Sequence, residues 1–181
     1  PGGDQSTRPL RRRFCTSRRP SGPSINAPPT SHWCTAPVWQ HCPVHPTTAA
    51  FVASARDLGI EVDPRTFPDG TRTAEDAAAA VGVDVGQIVK SLAFRAVHDD
   101  GSTTVVMALV SGSNRLDEKA LAAAAGADHT ERADADEVRA ATGYAIGGVP
   151  PFGHATELDV FVDRDLLAHD EVCAAAGTPR S

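Results

Sequence analysis

The chain has 181 residues, 41% of them hydrophobic, and a formal net charge of −6 at pH 7. That length suits one domain with a sizeable core. No run of eighteen apolar residues occurs, which excludes a membrane-spanning helix, and no apolar run follows the N-terminal arginines as a secretory signal would require.

Composition breaks near Pro43. Residues 1–43 hold eight of the fourteen prolines, three of the four cysteines, and six arginines against one acid. The charge is +5 before the break and −11 after it. This segment reads as a disordered basic extension, or as upstream sequence foreign to the working protein. Residues 44–181 read as the folded domain. Cys15, Cys34 and Cys42 lie in the first segment near His32 and His41, at spacings that match no standard zinc module. Neither a metal nor a cofactor is expected. Cys173 stands apart, in an Ala-rich stretch read as helical, and is expected to be a small buried hydrophobe. A soluble protein of a reducing cytoplasm fits this pattern.

The patterned region starts at His45-Pro46-Thr47-Thr48, which predicts a helix running to Leu58 and stopped by Gly59. Ile60 to Phe67 alternates apolar and polar residues, as a half-buried strand does. Pro68-Asp69-Gly70 marks a turn. Thr73 and Asp76 form a capping box for a helix closed by Gly82, and Asp84 with Gln87 repeats the pattern for a short turn. Ser91–Val97 and Thr103–Val110 read as hairpin strands joined through His98–Ser102. The second is nearly all apolar and should lie in the centre of a sheet. Ser111-Gly-Ser-Asn-Arg115 is a polar loop off its end. Asp117 starts an Ala-rich helix that stops at Gly126, and a further helix runs from Asp134 to Thr142 before Gly143. Leu158–Val162 is a last strand, and His169–Ala176 is expected to be helical up to Gly177. The class is mixed α/β, with hairpin-connected strands rather than regular βαβ units.

Chemistry concentrates in two places. Gly143–Gly153 carries four glycines and two prolines in eleven residues. Gly147 and Gly148 can bring bare main-chain amides close to a ligand, while Pro150 and Pro151 stiffen the loop. The second place is Lys90, one of two lysines, at the mouth of an apolar strand. There it either meets an anion inside the domain or reaches water along its aliphatic stem. Lys119, beside Asp117 and Glu118, is a solvated helix residue. His154 is either a base or a solvated loop histidine, and Asp163 either lines a pocket or caps the turn at Arg164. No Ser-His-Asp or Cys-His arrangement, Walker loop or dinucleotide fingerprint is present.

Thr73-Ala-Glu, Gly82-Val, Gln87-Ile-Val-Lys90-Ser-Leu, Ser111-Gly112 ahead of Arg115, Gly143-Tyr144, Gly147-Gly-Val-x-Pro151-Phe-Gly153 and Val162-Asp163 occur in that order. This ordered set, over residues 45–180, resembles the YbaK family of aminoacyl-tRNA deacylases, related to the editing domain inserted in bacterial prolyl-tRNA synthetases. The resemblance implies a mixed, partly barrel-like sheet flanked by short helices. It also implies hydrolysis of the ester in mischarged tRNA. Lys90, Gly147 and Gly148 are then the catalytic candidates. Ser111, Gly112, Arg115, Val149, Pro150, Pro151, Phe152, Gly153 and Asp163 are the substrate-binding ones. Pro150 replaces a serine common in the family, and the chain ends where a further strand and helix are expected, as a domain truncated at its C-terminus would.

The expected partners are the acceptor end of an aminoacyl-tRNA carrying a Cys-, Ala- or Pro-type amino acid, and an aminoacyl-tRNA synthetase; no membrane is expected. Loop amides would hold the amino-acid end and Lys90 an RNA oxygen or the developing negative charge. Water, a ribose hydroxyl or a substrate thiol would attack. The charge of −11 after Pro43 argues against a broad phosphate-binding surface and leaves a local patch of Arg72, Lys90, Arg95 and Arg115. The competing reading is a non-catalytic tRNA- or synthetase-binding module of the same fold.

Overall fold

A computed structural model describes residues 45–67 and 73–179. The basic segment with Cys15, Cys34 and Cys42, the turn expected at Pro68–Gly70, and Arg72 lie outside the described residues.

Helix α1 (Pro46–Asp57) starts at His45, whose Nδ1 accepts the Thr47 N–H, with Pro46 at the first helical position. Proline is tolerated there because that N–H has no helical acceptor. Helix α2 (Ala74–Val81) carries the predicted capping box: Asp76 N–H donates to Thr73 Oγ1 at 3.1 Å and Thr73 N–H to Asp76 Oδ2 at 3.3 Å. A 3-10 turn at Val85–Gln87 follows, where Asp84 N–H donates to Gln87 Oε1 at 3.1 Å and Gln87 N–H to the Asp84 carbonyl at 2.9 Å. Asp117 and Asp134 cap α3 (Glu118–Ala125) and α4 (Ala135–Thr142). Each of these starts is set within four residues, because a carboxylate or hydroxyl satisfies N–H groups that the helix itself leaves unpaired.

The sheet is mixed. β1 (Ile88–Val97) pairs antiparallel with β2 (Thr103–Ser111), from Val89↔Ser111 to Val97↔Thr103. β3 (His129–Arg132) lies antiparallel to the far half of β1, and β4 (Asp159–Val162) lies parallel to β2. β5 (Cys173–Ala174) lies parallel to β1 at Ile88 and Val89. The order is β3-β1-β2-β4 with β5 also on β1, and the sheet is not closed. β2 is central, as its unbroken apolar run predicts. Val106, Met107, Ala108 and Val110 are all at most 3% exposed.

Alternation along β1 and β2 divides the core. Phe94, Ala96, Val106, Ala108 and Val110 pack with Leu121 of α3. Met107 packs on the opposite face with Val138 of α4, Tyr144 and Val149. Burial raises the pKa of the Tyr144 hydroxyl.

Two expected elements fail, and one strand was not expected. Ile60–Phe67 is not a strand. Ile60 and Val62 are half-buried and Glu61 and Asp63 exposed, so the alternation records which side chains face inward. Alternation alone does not make a strand without a partner to pair with, and Pro64 has no N–H to offer a ladder. His169–Ala176 is not helical: a 3-10 helix occupies Arg164–Ala168, and the chain then extends through β5. Strand pairing at the β1 edge overrides the helix propensity of three alanines. β3 (His-Thr-Glu-Arg) was missed because three of its four residues are exposed, so it shows no apolar alternation. The first hairpin strand also starts three residues before Ser91, at Ile88.

Candidate active site

The uncovered part of β1 defines the site. β5 covers Ile88 and Val89, and β3 covers Phe94–Val97, which leaves a gap at Lys90–Leu92. Gly112 N–H donates to the Ile88 carbonyl at 2.7 Å, so even-numbered residues of β1 bond to β2 and odd-numbered ones bond outward. Ser91 therefore turns its N–H and C=O into the gap. Its Oγ is buried and has no hydrogen-bond partner among the described residues.

A cavity of about 450 Å³ fills this gap, within the ordinary range for a small-molecule site. Lys90, Ser91 and Leu92 form one wall, Ala74, Ala77 and Val81 another, and Ile146, Gly147 and Val149 a third. Cys173, Ala174, Ala175 and Pro179 close it from the C-terminal segment. Among the described residues that line it, Lys90 carries the charge and no carboxylate is present.

Lys90 does not reach water as a free cation. Its Nζ donates to the carbonyls of Gly112 (3.2 Å) and Asn114 (2.5 Å), both in the loop after β2. That loop is tightly built. Ser111, fully buried, donates its hydroxyl to the Gly86 carbonyl, and a Cβ on Gly112 would stand 2.3 Å from the Val85 carbonyl. Asp163 anchors the loop by accepting from Ser111 N–H at 3.1 Å and Asn114 Nδ2 at 2.9 Å. Its other oxygen caps the 3-10 turn through Asp165 N–H at 3.0 Å. Burial of Asp163 opposes ionisation, but the Asn114 amide, the N–H groups of Asp165 and Ser111 and the charge on Lys90 prevail, and its pKa lies below the ordinary value.

Gly147 and Gly148 are glycines for different reasons. Gly147 has φ +86° and is exposed, and a Cβ there would touch Pro179 at an ordinary 3.7 Å. Gly148 is buried, and a Cβ there would stand 2.7–2.9 Å from Thr178 main-chain atoms. Its N–H is already bound to the Ala145 carbonyl, and its own carbonyl accepts from Gly177 N–H. The main chain that faces the cavity here belongs to Gly147, while Gly148 docks the C-terminal segment.

The remaining candidates fall elsewhere. Pro150 and Pro151 are buried, and Phe152 lies on Phe51 of α1 with ring centroids 4.9 Å apart. Gly153 sits against Ser54, and a His154 ring nitrogen bonds the Pro150 carbonyl at 2.9 Å. This half of the loop packs the domain against α1. Arg115 is exposed and, with Asp163, lines a separate groove beside α3. Arg95 is engaged with Glu131 and Glu137, and its pKa is raised first by the Glu131 hydrogen bond and then by the Glu137 charge. Sequence reading missed Ser91, Ile146, Ala174, Ala175 and Pro179; their one common signal is a place within three residues of Lys90, Gly147 or Gly177. No group of three or more His, Cys, Asp or Glu residues that could hold a metal occurs among the described residues. No helix there is long and apolar enough to cross a membrane.

Comparison with known proteins gives this geometry its context. The aminoacyl-tRNA editing domain family matches residues 68–181, well over half of the chain. The chain belongs to that family. The uncharacterized protein YwhH of Bacillus subtilis is 33% identical over 121 residues, 67% of this chain and 74% of that one. A proline–tRNA ligase of Nautilia profundicola is 31% identical over 116 residues, 64% of this chain but 20% of the ligase. A protein of Enterococcus faecalis assigned as a candidate Cys-tRNA(Pro)/Cys-tRNA(Cys) deacylase is 30% identical over 105 residues, 58% of this chain and 62% of that one. A crystal structure of a candidate trans-editing enzyme for prolyl tRNA synthetase superposes with a TM-score of 0.67 at 44% identity, covering 76% of this chain and 84% of the other. In this editing domain, the region matched by the family contains both Lys90 and the glycine-rich loop.

Proposed function

We propose that the protein is an aminoacyl-tRNA deacylase that acts in trans on mischarged tRNA. The observation that carries this reading is the single lining cation, Lys90, on the wall of a mostly apolar cavity without carboxylates among the described residues. An aminoacyl ester is already activated, so hydrolysis needs a placed nucleophile and a partner for the oxyanion. Lys90 is the group for an RNA oxygen or for that developing charge. The Gly147 main chain and the outward N–H and C=O of Ser91 are the groups for the aminoacyl end. Water, a ribose hydroxyl or a thiol of the substrate is the attacker.

The lining selects by exclusion. Ala74, Ala77, Val81 and Ile88 suit a small uncharged side chain, of Cys, Ala or Pro type, and offer nothing to a charged one. The tRNA would be held at its acceptor end, because the residues after Pro43 sum to −11 and cannot supply a broad cationic surface. A synthetase partner would then contribute the remaining RNA affinity.

The test is hydrolysis of a panel of tRNAs charged with Cys, Ala, Pro and larger amino acids. Wild type should release a small amino acid selectively, and Lys90→Ala should lose about a hundredfold or more in rate. A folded Lys90→Ala protein that deacylates at the wild-type rate overturns the assignment. The acidity after Pro43 favours the second reading, a non-catalytic binding module. Binding of charged tRNA without any turnover across the panel would establish it.

A further inference from the structure

We infer that Asn114 is the positioning residue for Lys90, acting through its own main-chain carbonyl; the inference rests on the deacylase reading for its kinetic consequence but not for its geometry. Lys90 is in no ion pair among the described residues. Two carbonyls hold it instead, those of Gly112 and Asn114. A carbonyl orients an ammonium without cancelling its charge, which leaves the cation available to an anionic oxygen. A flexible loop could not do this, because a lysine carries four rotatable bonds and follows its acceptors.

The Asn114 side chain removes that flexibility. Its Nδ2 donates to Asp163 Oδ2 at 2.9 Å and to Asp165 Oδ2 at 2.7 Å. Asp163 in turn holds Ser111 N–H, the residue in which β2 ends. The loop is thereby tied to the 3-10 turn that follows β4, 49 residues on in sequence from Asn114 to Asp163. One side chain thus couples the end of β4 to the loop that holds the Lys90 ammonium. Asn suits the position because two N–H donors meet two carboxylates. An aspartate there would place a third anion beside them.

The chain's two lysines make the clamp measurable without any substrate. Lys119 is exposed on α3 and serves as an internal reference for Lys90 in amine modification by acetic anhydride, read by peptide mass spectrometry. In Asn114→Ala the Lys90-to-Lys119 reactivity ratio should rise several-fold. The deacylation kcat should fall by about tenfold to a hundredfold with KM little changed, the scale expected when a catalytic group is misplaced by about 1 Å.

Asn114→Asp gives the readout that a merely structural role would not move. Around that position stand Lys90, Asp163, Asp165, Arg115 and Asp117, with His169 beyond Ser113. The variant should be impaired at neutral pH and should recover relative to wild type as the pH falls, because the introduced carboxyl, once protonated, can again donate to Asp163. A ratio unchanged in both variants overturns the inference, as does an Asn114→Asp profile parallel to wild type. If wild type deacylates no tRNA, the deacylase reading fails, while the reactivity ratio still decides whether Asn114 holds Lys90.

Discussion

Gly148→Ala tests how the cavity is closed. The new Cβ would stand 2.7 Å from Thr178 Cα, 2.8 Å from its carbonyl carbon and 2.9 Å from its nitrogen. All three are main-chain atoms, so no side-chain rotation relieves the overlap. Overpacking of this kind costs about 1–3 kcal/mol. The displaced segment also strains the bond from Gly177 N–H to the Gly148 carbonyl, 3.1 Å long and worth about 1 kcal/mol. The total of about 2–4 kcal/mol should lower Tm by roughly 5–15 °C for a chain of this size. The chain can escape the clash by releasing residues 173–179 instead. That removes Ala174, Ala175 and Pro179 from the cavity wall and should raise KM. Gly147→Ala is the control. It meets only Pro179, at 3.7 Å, and its cost is the left-handed backbone, about 1–2 kcal/mol. Thermal denaturation, limited proteolysis of the C-terminal segment and deacylation kinetics distinguish the two variants. A Gly148→Ala protein with wild-type Tm, protease resistance and KM would refute the argument that Gly148 is the docking point of that segment.

Two further outcomes follow from the geometry. Met107→Ala removes a side chain with no exposed surface between β1 and β4, and should lower unfolding free energy by about 2–5 kcal/mol in chemical denaturation. The depressed pKa of Asp163 sets a direction with pH. Its folded value lies below its unfolded value of about 3.9, so its stabilisation is complete above that pH and is lost as the pH falls through the folded value. Acid titration of stability should show this loss in wild type, and Asp163→Asn should be flatter over the same window.

Much of the frame is legible one short segment at a time. Thr73 with Asp76 and Asp84 with Gln87 pair as their spacing predicts, and a helix starts after Asp134 as expected, because a cap is a contact between neighbours in sequence. The unbroken apolar run of β2 shows its central place for a similar reason, since burial on both faces requires it. Lys90 stands out by rarity and by its seat on an apolar strand. The glycine-rich loop stands out by composition. Composition could not divide that loop, however. Gly147 faces the cavity, Gly148 holds the C-terminal segment, and Pro150–Gly153 pack near α1.

What the sequence determined by itself is therefore local: the helix starts, the hairpin, the buried strand, the identity of the cation and the family that shares its motifs. Tertiary structure alone decided which edges were free. It made His169–Ala176 an extended segment with a two-residue strand at Cys173–Ala174 instead of a helix, left Ile60–Phe67 without a partner strand, and opened a gap in the outer edge of β1 beside Lys90. It also decided that two main-chain carbonyls hold Lys90, and that Asn114 ties their loop to Asp163 and Asp165. The physical reason is range. Propensity and capping act within a turn of chain, whereas a strand edge or a carbonyl acceptor is chosen by competition among segments that only the fold brings together.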